Sequence, residues 1–417
     1  MIGTGGREHA LARKLAQETG ADVHAAPGNP GMAAIATLHD VDQMDGAAVA
    51  ALAVEIGAEL VVIGPEAPLV AGVADAVRAA GVPVFGPSRE AAQLEGSKAY
   101  AKEVMAAAGV PTARSIVCTT PEEAAAALAE LGAPYVVKDD ALAAGKGVVV
   151  TRDRDEALAH AAGCERVVIE EFLDGPECSL FAICDGVGAY ALQPAQDFKR
   201  IFDGGRGPNT GGMGSYSPLP WAPADLAQTV LETVVWPTVR EMYGRTTGGF
   251  MGCLYVGLAL TSKGPRVIEF NVRFGDPDIQ PVLALMESDL GPLLLYAAKG
   301  MLGSLEPPVF RDGASVTVVL ASAGYPESSS KGDAIDGVSE AEAAGADVIH
   351  AGTAIDDAGE LVTAGGRVLA VRAVGTDVAS ARAQAYAAAD HVSFAGMQRR
   401  SDIAAEPLGA VEGAAVL

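Results

Sequence analysis

Between residues 60 and 88 a short β-branched run, LVVIGPE (60–66), an alanine-rich helical stretch ending near Ala80 and a second β-branched run, VPVFGPS (82–88), follow one another. Strand, helix and strand in that order make a crossover unit, which demands a parallel sheet. Ligands of such sheets lie beyond the carboxyl ends of the strands. Three polar turns fall there: GTGGREH (3–9), APGNPG (26–31) and GPEAP (64–68). Residues 1–92 therefore read as an α/β domain with a small-molecule mouth.

From Gln93 the rhythm changes to a helix (97–109), then a strand, a helix and a strand ending in a glycine-rich turn, then mixed strands to about residue 275. This is an α+β pattern, assigned to a domain at 93–312 with a small subdomain inserted near 112–172. After Asp312 a strand-rich stretch begins with SVTVVLASAGYP (315–326), includes GRVLAVRAVG (366–375) and closes with an alanine-rich helix near 379–390. That makes a C-terminal strand-rich domain at 313–417, and 417 residues suit such a multidomain division. The net charge of -24 is spread along the chain, which argues against a nucleic-acid partner and makes any anion site depend on locally gathered Lys and Arg. Five cysteines without a C-x-x-C pair fit a reducing compartment. No apolar run reaches the roughly 18 residues of a membrane span, so a cytoplasmic protein is expected, as a monomer or small homo-oligomer.

Five segments carry candidate chemistry. In the first turn Glu8 stands where G-x-G-x-x-G needs its third glycine, which disfavours a nicotinamide cofactor. Gly5 and Gly6 still let backbone N–H groups approach an anion, and Arg7 adds a positive charge; a plain tight turn is the alternative. VVKDDALAAGKGVVV (136–150) is not a Walker A loop, because Asp140 and Gly147 stand where Gly and Ser or Thr belong. A hairpin tip with Gly145, Lys146 and Gly147 can instead cover nucleotide phosphates, and Lys138 in its apolar strand needs a partner such as a phosphate oxygen. Two solvated lysines on a plain hairpin are the other reading. RVVIEEFLDGPECS (166–179) offers a strand end for an adenine edge and a later acid for ribose, and also reads as an ordinary strand with charged ends.

VIEFNVRFGDPDIQP (267–281) is the most informative. A strand period of two turns Ile268, Phe270 and Val272 to a core and Glu269, Asn271 and Arg273 to the other face. Two hard oxygen donors on one face suit Mg²⁺ bridging phosphates, and Arg273 offers a planar fork to an anion; a solvated strand face is the alternative. QDFKRIFDGGRGPNTGGMGSYSP (196–218) reads as a long polar loop. Its Gly211, Gly212 and Gly214 allow close backbone approach to a ligand, and Asp197 with Lys199 could hold a zwitterion; a disordered surface loop is the alternative. No Ser-His-Asp or Cys-His set stands out, and His9 and His350 read as structural or substrate-lining.

In chain order GGREHA (5–10), GPEAPLV (64–70), QLEGSKAY (93–100), LAAGKGV (142–148), IEEFLDG (169–175), GPNTGGMG (207–214), IEFNVRFGDP (268–277) and HAGT (350–353) resemble the ATP-grasp fold in the wording of the phosphoribosylamine–glycine ligase family. The resemblance runs over nearly the whole chain. It implies ATP-dependent ligation of glycine to 5-phosphoribosylamine through glycyl phosphate, giving glycinamide ribonucleotide, ADP and phosphate in purine biosynthesis. It implies further that Lys98, Lys138, Gly145, Lys146, Gly147, Glu170, Glu171, Phe172, Leu173 and Glu177 surround ATP, while Glu269 and Asn271 hold Mg²⁺ or Mn²⁺. Gly5, Gly6, Arg7, Asn29, Glu66, Asp197, Lys199, Gly211, Gly212 and Arg273 would lie near the other two substrates, with Lys146 and Arg273 neutralising charge during transfer. The chain departs from the family's Lys-Ala-Asp-Gly with Lys138-Asp139-Asp140-Ala141, has Phe198 where the family usually has His, and is short at AHAAGCERV (159–167). Another ATP-grasp carboxylate ligase and a catalytically impaired nucleotide-binding homologue are the alternatives.

Overall fold

The computed structural model describes residues 1–141 and 147–405. The N-terminal sheet is parallel, as the crossover rhythm demands: Ile2–Gly3 pairs with His24–Pro27, and Val61–Val62 pairs with Val84–Phe85. A parallel bridge from Ile2 to Ile63 joins the two pieces. Val61, Val62 and Val84 are buried, because helices cover such a sheet on both faces. Asp45 caps the helix Gly46–Glu55 by accepting from the Ala47 and Ala48 amides.

The helix Lys98–Ala108 starts where Ser97 accepts from the Tyr100 amide, and it ends at Gly109 in a left-handed conformation. Beyond it lies a four-stranded antiparallel sheet in the order Ser115–Cys118, Val167–Glu170, Tyr135–Asp139, Val148–Thr151. Helices Pro121–Leu131 and Arg154–Ala162 pack on it around Cys118, Leu128, Val137 and Ile169. A second antiparallel sheet runs Ala189–Ala191, Glu177–Asp185, Met251–Thr261, Gly264–Asn271. Lys138, Glu170, Glu177, Glu269 and Asn271 lie on these two sheets, Glu171, Phe172 and Leu173 on the segment that joins them, and Lys98 at the start of the helix before them.

Two expectations are corrected. Residues 196–218 are not a loop: Gln196–Asp197 and Gly214–Ser217 are strands, and Arg200–Phe202 pairs with Arg206–Asn209 between them. Both outer strands join the C-terminal sheet, whose order is Gln196–Asp197, Gly214–Ser217, Ala314–Ala321, Arg367–Gly375, Asp347–His350. Two serines of that buried sheet are bonded: Ser215 donates to the Pro277 carbonyl (3.1 Å) and Ser217 to that of Pro194 (2.9 Å).

The second correction concerns Ile268. In Gly264–Asn271 the register shifts so that Glu269 faces Gly257 while Val267 faces Leu258, leaving Ile268 as the extra residue of a β-bulge. Val267, not Ile268, is fully buried, together with Phe270 and Val272. The bulge resets the alternation just before Glu269.

Candidate nucleotide and metal site

The bulge also frees the Ile268 carbonyl from the ladder, and it accepts from Lys138 Nζ at 2.8 Å. Lys138 therefore reaches from the small sheet onto the strand that carries Glu269. Its ammonium also lies 3.0 Å from Glu170 Oε2. The other oxygen of Glu170 lies 3.0 Å from the ammonium of Lys102, a residue that sequence reasoning passed over. Lys102 stands one helical turn from Lys98, so an i, i+4 lysine pair flanked by buried Ala101, Val104 and Met105 was the signal.

Glu269 is half-buried and surrounded by cations. Burial alone would raise its carboxyl, yet Lys199, Lys138 and Lys98 hold it below the usual carboxylate value. Neither Glu269 nor Asn271 makes a side-chain hydrogen bond or salt bridge to another described residue. No group of three or more His, Cys, Asp or Glu among the described residues could hold a metal. The pair is two oxygen donors two residues apart, neither of them hydrogen-bonded through its side chain to another described residue. Lys98 donates to the backbone carbonyls of Asp139 (2.6 Å) and Ala141 (3.1 Å), and burial lowers its pKa.

The unusual Asp139 lies on the opposite face of its strand from Lys138 and accepts from the Ala141 amide at 3.1 Å. Asp140 is buried; it accepts from the Ala99 amide (2.7 Å) and pairs with Arg166. Glu171 bonds Arg114 through both backbone and carboxylate. Phe172 and Leu173 are half-buried in the connection to the second sheet, and exposed Glu177 opens that sheet. Gly145 and Lys146 lie outside the described residues, and the Gly147 carbonyl accepts from the Asp139 amide at 2.7 Å.

On the substrate side the charges are already paired. Arg7 donates to Glu8 Oε1 (2.5 Å) and to the Phe274 carbonyl (3.1 Å). Glu8 in turn accepts from the Gly5 amide at 2.6 Å, so the donor read as an anion binder is occupied from within. Gly6 faces Asp276 and Gln280. Asn29 uses its amide on the carbonyls of Thr4 (2.8 Å) and His350 (3.0 Å), tying two loops together. Arg273 sits between Glu66 (3.3 Å) and Glu95 (3.1 Å), and Glu95 also accepts from the Val272 amide at 2.8 Å. Burial raises the Glu95 carboxyl; at Glu66 burial is outweighed by Arg273 and Arg7, and its pKa is lowered.

Lys199 lies 3.7 Å from Asp197. Gly212 has φ +110° and a Cβ there would lie 2.5 Å from Pro277 Cδ and 2.6 Å from Asp197 Oδ1, so no side chain fits. Arg367, a residue of the C-terminal sheet absent from the sequence reading, donates to the carbonyls of Gly211 and Asp276, the latter at 2.6 Å, and pairs with the Asp276 carboxylate at 3.1 Å. Phe198 is buried with the Arg400 guanidinium 5.0 Å above its ring.

Three family models match consecutive parts of the chain: phosphoribosylglycinamide synthetase N domain (residues 1–95), ATP-grasp (A) domain (96–279) and C domain (315–406). The phosphoribosylamine–glycine ligase of Streptomyces coelicolor is 61% identical, covering 98% of this chain and 99% of that protein. That of Mycobacterium tuberculosis is 52% identical over 99% and 98%. The crystal structure of the Thermotoga maritima phosphoribosylamine–glycine ligase superposes with a TM-score of 0.84 at 36% identity, covering 97% of this chain and 99% of that one. The biotin carboxylase domain of Hydrogenobacter thermophilus 2-oxoglutarate carboxylase, solved with MgADP and bicarbonate, shares the fold at TM-score 0.70 and 17% identity, over 95% and 90%. By sequence along its whole length and by fold, the chain belongs to the phosphoribosylglycinamide synthetase family of ATP-grasp ligases.

Proposed function

We propose that the protein joins glycine to 5-phosphoribosylamine with ATP, forming glycinamide ribonucleotide, ADP and phosphate. A carboxylate and an amine do not condense in neutral water without activation. The glycine carboxylate oxygen attacks the γ-phosphorus and ADP leaves, giving glycyl phosphate. The amine of phosphoribosylamine then attacks the acyl carbon, phosphate leaves with the electron pair of the broken C–O bond, and the amine loses a proton. No protein nucleophile is needed.

The observation that carries this reading is the pair Glu269 and Asn271, without a side-chain hydrogen bond or salt bridge to another described residue and with the charges of Lys98, Lys138 and Lys199 close to Glu269. These two residues would hold Mg²⁺ or Mn²⁺, which when bound would neutralise charge on the β- and γ-phosphates. Lys98 and Lys138 would neutralise further phosphate charge, and the half-buried 171–173 segment would meet the base. Lys199, Asp197 and Arg273 would orient glycine and the phosphoribosyl amine, positioning being most of the catalysis in such a transfer. Lys146 is assigned to the phosphates on the family resemblance. All five cysteines are free and no described helix is long and apolar enough to cross a membrane, which goes with a cytoplasmic setting.

The test is ADP release with glycine and phosphoribosylamine generated in place, omitting each in turn. Release that requires both supports the reading. Release driven by bicarbonate without glycine overturns it in favour of a carboxylase.

A further inference from the structure

The trio Lys102, Glu170 and Lys138 is two ammonium groups on one carboxylate, with all three side chains buried. Burying an unmatched charge is costly, so a spare positive charge in such a place calls for an anion. The two lysines are not equivalent. Lys102 has three oxygens around it: it donates to the Thr112 hydroxyl at 2.8 Å and the Ala113 carbonyl at 3.1 Å, and it ion-pairs with Glu170 at 3.0 Å. Among the described residues Lys138 has two, Glu170 and the Ile268 carbonyl, although an ammonium has three donors.

Lys102 also sits where the small sheet is hung. Thr112 donates to the Val267 carbonyl (2.6 Å), the Val267 amide to the Pro111 carbonyl (2.8 Å) and the Glu171 amide to the Arg114 carbonyl (2.9 Å). The chain thus enters the small sheet at 111–114 and leaves it at 170–171 beside one buried ammonium. Neighbouring strands fix the rest: Val136 pairs with Glu170 and Lys138 with Val168. Lys138 and Glu170 accordingly lie two residues apart across one ladder and meet on one face.

We propose that Lys102 is a positioning residue that neutralises Glu170, so that the charge of Lys138 is left to hold a phosphate of the nucleotide. Without Lys102 the carboxylate would have Lys138 as its sole cation, and that pair would be internally neutral. The inference rests on the reading above that Lys138 faces ATP. It says in addition that Glu170 competes with the nucleotide for Lys138 and that Lys102 relieves the competition.

Steady-state ADP release by Lys102→Met, Lys102→Arg and the double variant Lys102→Met/Glu170→Gln tests it. Lys102→Met should raise KM for ATP about tenfold while KM for glycine stays within about twofold, since one close charge partner is redirected. Lys102→Arg, which keeps the charge, should retain most of the ATP affinity. The double variant should recover most of what Lys102→Met loses, because removing the carboxylate charge frees Lys138 again. A purely structural role for Lys102 would make the double variant no better than the single one, and that result, or an unchanged KM for ATP in Lys102→Met, overturns the proposal. If Lys102→Met does not fold, the double variant decides alone: recovered affinity supports the proposal and a tenfold loss overturns it. If the parent protein releases no ADP with glycine, the functional reading fails by itself, and calorimetric binding of MgADP to the same variants then tests the role of Lys102 by the same criterion.

Discussion

The glycine turn at 3–8 and the strand end at 269–271 are both ligand-facing motifs in the sequence, and the fold treats them in opposite ways. At the turn both charged side chains are used within the protein: Arg7 on Glu8 and Phe274, Glu8 on Gly5. A Cβ at Gly64 would lie 2.0 Å from Glu8 Oε1, so the carboxylate fills the space against the next strand end. At the strand end two oxygen donors are left without partners among the described residues, beside three lysines. A motif that carries its own counter-charge next door closes on itself. One whose chain neighbours are apolar, such as Phe270 and Val272, has no such partner next door in sequence.

That contrast can be broken by mutation, and the largest effect belongs to the open region. Glu269→Ala should lower metal-dependent ADP release by about 10³-fold or more, while Asn271→Ala should lower it strongly and change the unfolding free energy by under about 1 kcal/mol. Near-normal release in Glu269→Ala would remove the metal assignment. At the closed region the effect should appear as stability instead. Arg7→Met leaves the buried Glu8 carboxylate without its guanidinium and should cost about 3–5 kcal/mol in urea unfolding. An unchanged midpoint with lost activity would make Arg7 a substrate ligand.

Gly212→Ala sharpens the comparison at the third candidate region. Its positive φ and the 2.5 Å approach to Pro277 predict a loss of roughly 1–3 kcal/mol, read by thermal unfolding. A stable variant with weakened glycine binding would move the role of this glycine from packing to ligand approach.

A further effect is a pH dependence next to the closed turn. Burial lowers His9 to about 3 and His350 to about 4, from 6.5. The unfolded chain then takes up protons that the folded chain refuses. Stability from these two groups is full above about pH 6.5 and falls as pH drops towards 4 and 3, by up to about 1.4 kcal/mol per unit for each. His9→Gln should roughly halve that slope between pH 6.5 and 4.5 in denaturant titrations. An unaltered slope would place the acid sensitivity elsewhere.

The parallel N-terminal sheet, the helix at 98–108 and the paired strands Tyr135–Asp139 and Val148–Thr151 were legible because each rests on local spacing. Strand period or an alanine-rich helical run needs nothing from distant chain. The bulge at Ile268 was not legible, since it depends on register against Gly257 and Leu258. Nor was the polar 196–218 segment as strands, because its ladder partner begins at Ala314. What the sequence by itself determined is the family, the sheet types and the chemical kind of each candidate group. Only the tertiary structure decided which charges remain available: Glu170 lies between Lys102 and Lys138, Arg273 between Glu66 and Glu95, and Arg367 comes from the far sheet to the Gly211 carbonyl. Pairing energy depends on distance and burial across the fold, and neither is written in the spacing of residues along the chain.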